Sequence, residues 1–229
     1  MAILLNEHAI TDAERIQVSS ASQMDFTRSF SMMIWVYPID VTGITNYVTY
    51  CSRSDFYSLQ LFPTTGYSNF SFRYSTAWAG FDDNTKVTAN SWFHIAGTYD
   101  SSAGANNLRV YTNGNLSNSA TWTDAMSSST GKQFDIGSMY DNFNSENLGI
   151  INTRFMQAYF EDCRLYNRQL SDSEIQTIYA CRGHDGIVDG LVGRWPMTEG
   201  YDGQQATSGS ALIKDVSDYK NNGVPQAAG

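Results

Sequence analysis

The chain of 229 residues carries 14 Lys and Arg against 23 Asp and Glu, a net charge of −9, and only 16% of its residues are charged. That balance excludes a nucleic-acid phosphate partner, which needs clustered Lys and Arg, and no apolar run approaches the length of a membrane span. The 14 Tyr and 12 Phe, set among abundant Ser, Thr, Asn and Gly, suit one large all-β domain of short strands and tight turns. Met1 to Glu7 is too short an apolar run for a secretory signal and lacks a basic leader, so an uncleaved amino terminus is expected.

In chain order, Ile10 to Val18 predicts an early strand. Phe30, Met32, Ile34 and Val36 then alternate with Ser31, Met33, Trp35 and Tyr37, and since both faces are largely apolar the strand is expected inside the fold, ending at Pro38. Tyr57, Leu59 and Leu61 mark the next strand and Phe70, Phe72 and Tyr74 another, with Pro63 to Ser68 as the turn. Trp78 to Asn84 shows no period and reads as an exposed loop. Phe93, Ile95 and Tyr99 alternate with His94, Ala96 and Thr98, and after a break at Asp100 to Asn107, Leu108 and Val110 alternate with Arg109 and Tyr111. Asn113-Gly114 supplies the two positive φ angles of a type I′ turn, reversing the chain into Leu116 to Trp122. Trp35, Phe93 and Ile95 are the expected core of this region.

Phe134 to Gly137 is a short strand, followed by a hydrophilic surface loop at Ser138 to Asn147. Ser171-Asp172-Ser173-Glu174 is a capping box, predicting a helix over Ser171 to Ala180 with Ile175, Ile178 and Tyr179 on one face. Arg182 to Gly190 reads as a linker. Beyond it lie two further blocks, Leu191 to Met197 and Asp215 to Gly223.

Trp92-Phe93-His94-Ile95-Ala96-Gly97-Thr98-Tyr99-Asp100, with Leu108 to Gly114, resembles the central strands of laminin-G-like (concanavalin A-like) jelly-roll domains. Asp162 to Arg168 with Gln169 to Ile175 resembles that family's closing strand, although Ala158 stands where the family often has Gly and Cys163 where it has Val. Weaker matches occur at Asp12 to Val18, Phe30 to Pro38 and Phe134 to Gly137. The resemblance implies a two-sheet antiparallel jelly-roll sandwich with one short helix. It says little about function, because such sandwiches serve lectins, glycosidases, adhesion modules and virion proteins alike.

The two last blocks resemble the segment that usually opens such a domain, yet here they come at the end. Either the domain is circularly permuted or a second domain begins there. The permuted reading is favoured because the chain's own beginning lacks the segment, which gives one domain over 1–229: a body at 1–181, a connector at 182–190 and a returning segment at 191–229. That segment could close its own sandwich or be donated to a neighbour in a homo-oligomer.

Retaining glycosidases need two carboxyl groups facing one cleft, whereas the adjacent Glu161 and Asp162 point to opposite faces of a strand and read as structural acids near Arg164. His8, His94 and His184 lack zinc spacing, His94 is expected to be a packed, hydrogen-bonded strand residue, and no G-x-S-x-G elbow occurs. No enzymatic activity is expected. Calcium is the ion the sequence could hold, through Asp215, Asp218, Asn221 and Asn222, residues that equally suit Asx-turns. Candidate glycan sites are Trp78, Phe81, Asp82 and Asp83, and Tyr140, Asp141 and Asn142, where aromatics stand beside acids and amides. The three cysteines, Cys51, Cys163 and Cys181, read as buried free thiols, with a Cys163–Cys181 bridge as the alternative.

Two functional expectations follow. The first is a non-enzymatic virion structural protein, a phage capsid decoration or tail-associated module whose partners are other virion proteins and cell-surface glycans. The second is an extracellular carbohydrate-binding lectin or adhesin, with a glycoside hydrolase or lyase a distant third.

Overall fold

The computed structural model describes residues 2–5, 14–42, 47–54, 56–62, 65–138, 157–199, 204–205 and 212–226. The alternation beginning at Phe30 becomes β3 (Ser29–Pro38), and the two runs around Asn113 become β8 (Phe93–Asp100), β9 (Leu108–Thr112) and β10 (Asn115–Ala120). These pair in the order β10-β9-β8-β3, and β3 continues into β12 (Ala158–Tyr166) on its other edge. Asn113 and Gly114 take φ of 51° and 76°, the type I′ geometry, so the hairpin closes where its dipeptide dictates.

Beyond β12, β1 (Ile3–Leu5) and β13 (Leu191–Trp195) share one edge end to end: β1 takes Ala158 to Phe160 and β13 takes Cys163 to Tyr166. β14 (Gln204–Gln205) adds to β1 in parallel. The strands of the second sheet are β2 (Arg15–Val18), β4 (Val48–Arg53), β5 (Tyr57–Leu61), β6 (Tyr67–Tyr74), β7 (Ala77–Lys86), β11 (Phe134–Ile136) and β15 (Gly223–Gln226). They pair in the order β15-β2-β11-β4-β5-β6-β7. The two sheets enclose one apolar core in which Phe30, Met32, Ile34, Ile95 and Phe93 meet Leu59, Phe70, Phe72 and Ile136. This is a jelly-roll sandwich. Gly97 is required within it, because a Cβ there would stand 2.3 Å from the ring of Phe70.

The single α-helix among the described residues, α1 (Asp172–Cys181), lies on the outer face of the first sheet. Its capping box is formed: Ser171 Oγ accepts from the Glu174 amide, and the Glu174 carboxylate accepts from the Ser171 amide at 2.9 Å. Ile175 and Ile178 pack with Met33, Ala96, Tyr111, Tyr166 and Leu170 in a second small core. That core explains why β3 is apolar on both faces. Trp35 is therefore buried, but on the helix side of the sheet and not between the sheets as expected.

Several expectations are corrected. Trp78 to Asn84 is no loop; it lies in β7, paired with β6 from Tyr74↔Ala77 to Asn69↔Asp82. Its alternation was hidden because one inward position is an acid: Ala79 and Asp83 are buried and Phe81 packs on the core. β4 was missed because a bulge between Thr49 and Cys51 breaks its period. All three cysteines are free, and Cys181 is exposed at the helix end while Cys163 faces the core, so they are not bridged. Burial first, and then the neighbouring Cys51 thiol, push the Cys163 thiol well above its ordinary pKa. The stretch read as a linker is tied down, with Asp185 pairing to Arg164 at 2.8 Å and the Tyr166 hydroxyl donating to Ile187 O at 2.9 Å.

Candidate functional site

β3, β8, β12 and α1 bring an aromatic cluster to the outer face of the first sheet. Register places Trp35 between Glu161 on β12 and His94 on β8, and Tyr37 beside Tyr159. Trp92, just before β8, meets Trp35 edge-on at 6.5 Å and Tyr37 at 5.5 Å, while Tyr37 and Tyr159 lie 5.8 Å apart. Tyr179, near the end of α1, stacks on Trp35 at 5.3 Å and 17°. A Cβ on Gly114 would fall 2.8 Å from the Tyr179 ring, so the hairpin's glycine also makes room for this ring. Trp92, Tyr37, Tyr159 and Tyr179 are half-buried and Trp35 is buried beneath them.

A β-bulge sets the polar side of the cluster. Asp162 takes φ 47° where the β3–β12 register shifts, so that Arg164 and Tyr166 join Trp35 on the outer face. The Asp162 carboxylate accepts from Arg164 at 2.6 Å and from Arg194 at 2.7 Å, and Arg164 is clasped from its other side by Asp185. His94 is wholly buried in this neighbourhood. Burial, helped by the Arg164 charge and opposed by Asp162 and Asp185, lowers its pKa to about 3, so the imidazole is neutral. Its backbone N–H donates to Asn113 Oδ1 at 2.9 Å, but neither ring nitrogen has a hydrogen-bond partner, and Trp35 Nε1 has none either. The expected hydrogen-bonded His94 is thus packed but unpaired at its ring.

The residues proposed from sequence are not gathered there. Trp78 is 41% exposed on the outer face of β7, in register with Arg73, while Phe81 and Asp83 turn inward. Asp83 accepts from Thr112 and Ser117 where the edges of the two sheets meet, and Asp82 accepts from Asn69 Nδ2 at 2.9 Å. Tyr140, Asp141 and Asn142 lie outside the described residues.

Asp215 is buried and already accepts from the amides of Arg194, Ser217 and Asn221 and from the Ser217 hydroxyl. Asn222 Oδ1 accepts from the Asp215 amide at 3.0 Å, and Asp218 is exposed. These contacts close a turn in the manner of Asx motifs and leave the Asp215 oxygens little capacity for a cation. Among the described residues no group of three or more His, Cys, Asp or Glu converges as a metal site.

The cluster escaped sequence reading because its members come from four separated segments. One signal was available: Trp35 and Tyr37 occupy the face of β3 opposite its core residues, and two large aromatics on a second face need a cover or a ligand.

Two antiparallel sheets with a helix laid on one outer face define a laminin-G-like jelly-roll module. The chain belongs to the Concanavalin A-like lectin/glucanases superfamily, whose laminin G family model matches residues 11–176. No curated protein sequence matches it. Among solved structures, it resembles a Bacteroides ovatus protein described as a candidate carbohydrate binding protein, at 18% identity and TM-score 0.69, over 98% of this chain and 57% of that one. A heptameric SAP-like pentraxin from Limulus polyphemus matches at 16% identity and TM-score 0.51, over 80% and 90% of the two chains. Domains LG4-5 of the mouse laminin alpha1 chain match at 13% identity and TM-score 0.52, over 72% and 42%. The chain thus spans 57% of the length of the Bacteroides protein, and the shared feature in each case is the fold.

Proposed function

We propose that the chain is a non-enzymatic, glycan-binding sandwich module whose site is the aromatic platform of Trp92, Tyr37 and Tyr159 backed by Trp35. The platform is the observation that carries the reading. Sugar rings present C–H faces that stack on half-exposed aromatics, and the few polar groups at the rim, here Glu161 and Arg182, orient the hydroxyls. The description of the Bacteroides ovatus protein as a candidate carbohydrate binding protein supports it. A binding role also suits the acids: both Asp162 oxygens accept from guanidinium groups, which leaves neither for proton transfer.

The acidic, hydroxyl-rich surface suits display on a virion as well as outside a cell, and the platform would serve recognition in either setting. The aromatic site favours the lectin reading over pure capsid decoration. A glycan array followed by calorimetry tests the proposal. Wild-type protein should bind at least one glycan class, and Trp92→Ala should weaken that binding at least tenfold with little change in melting temperature. Absence of any glycan binding, or unaltered binding by Trp92→Ala, overturns it.

A further inference from the structure

We propose that the platform selects sugars bearing a carboxylate, with Arg182 as the specificity-determining residue. This rests on the glycan-binding reading above and goes further by naming the chemical class of ligand.

The first observation is position. Arg182 ends α1 in the left-handed conformation, φ 42° and ψ 55°, with its amide directed to Tyr179 O. The guanidinium of this residue lies 4.3 Å from the centroid of Trp35 and 5.8 Å from that of Trp92. The platform is thus edged by a cation at its half-exposed end.

The second observation is how the other charges on this face are used. Arg164 is held by Asp162 and Asp185, Arg194 by Asp162 and the Gly183 carbonyl, and Arg168 by Glu174. Arg182 meets Glu161 at 3.7 Å, beyond hydrogen-bond length, and its side chain is 51% exposed. A pair this long, with its guanidinium half in solvent, contributes little and is easily exchanged. A ligand carboxylate, by contrast, can take the guanidinium fork through two parallel hydrogen bonds.

The third observation is that, among the described residues, the basic groups nearest Trp35 cannot substitute at this spot. His94 lies against Trp35 at 5.2 Å but is neutral through burial, and Arg164 beyond it is already matched by two aspartates. On a chain of net charge −9, a site that admits an anion must carry its own countercharge.

Calorimetry at fixed ionic strength decides the matter, using sialyllactose against lactose and trigalacturonate against its methyl ester. At least one acid should bind tenfold or more tighter than its neutral partner, equivalent to about 1.4 kcal/mol. That preference should shrink as salt is raised and vanish in Arg182→Gln, while Glu161→Gln, which removes the competing carboxylate, should bind the acid severalfold tighter. Trp92-dependent binding with no preference for the acid overturns this inference and leaves the glycan reading standing. No binding of either acid by wild-type protein that binds a neutral glycan on the array overturns this inference alone, and absence of any glycan binding on the array overturns both. A preference that survives in Arg182→Gln, together with unchanged binding by Glu161→Gln, also overturns it, even if the helix end is weakened by the first substitution.

Discussion

Replacing Trp195 by Ala tests whether residues 191–229 are an integral part of one domain. Trp195 sits on β13 opposite Cys163 and is wholly buried, with its ring stacked on Phe134 of the second sheet at 5.3 Å and 19°. Its indole N–H donates to Asn221 O at 2.9 Å, so the same side chain joins the first sheet, the second sheet and the turn built around Asp215. Truncating a buried aromatic costs about 3–5 kcal/mol through lost burial and the cavity left behind. The orphaned Asn221 carbonyl adds about 1 kcal/mol if water does not reach it. Against the 5–15 kcal/mol typical of a domain, roughly, the loss is a large fraction of the whole. For a chain of this size it corresponds to a fall in melting temperature of about 6–24 °C. Calorimetric melts of wild type and Trp195→Ala, with urea titrations beside them, give the number directly. A fall of less than about 3 °C would mean that the carboxy-terminal segment is an appendage and that its pairing with β12 contributes little. Ending the chain at Gly190 makes the same point more severely: an insoluble or molten product is expected, rescued by a peptide of Leu191 to Gly229.

Three further outcomes are expected. Asp215→Ala should destabilise the protein by about 1–3 kcal/mol, because the amides it caps lose their acceptor, and a chelator should leave the wild-type melting temperature unchanged; a chelator-sensitive melt abolished by Asp215→Ala would restore a calcium role. Asp135 is raised to about 6 by burial, against the lowering effects of Gln133 and Arg15, so the folded protein binds a proton more tightly than the unfolded chain does. Stability should therefore fall as pH rises from about 4 through 6, and melts of Asp135→Asn across that window should be flatter; identical pH profiles would refute the burial argument. Glu174 is lowered to about 2 by Arg168 and by its cap hydrogen bonds, so its stabilisation is present above its ordinary pKa and lost as pH falls toward 2; Glu174→Gln, which can still accept from the Ser171 amide but loses the ion pair with Arg168, should remove that acid-side loss, while Glu174→Ala should fray the helix at neutral pH, which amide exchange over α1 would reveal.

Local signals in this sequence were sufficient wherever one residue type has one cheap conformation. Asn113-Gly114 made the hairpin turn because both positions need positive φ, and Ser171 with Glu174 started the helix because each satisfies the other's orphan amide. The alternations at Phe30 and Phe93 likewise placed two central strands, although the two apolar faces of Phe30 to Pro38 left open which of them carries Trp35. Tertiary structure decided what depends on partners far away in the chain. Asp83 looks like a loop acid until Thr112 and Ser117 arrive to satisfy it, at which point β7 becomes a strand with a buried carboxylate. Tyr37, Trp92, Tyr159 and Arg182 are unremarkable one at a time, and they become a site only because β3 pairs with both β8 and β12 while α1 ends above them. The physical reason is common to both cases: a turn or a cap is paid for within a few residues, whereas burying an acid or assembling a platform depends on groups more than twenty residues away, whose arrival no local pattern encodes.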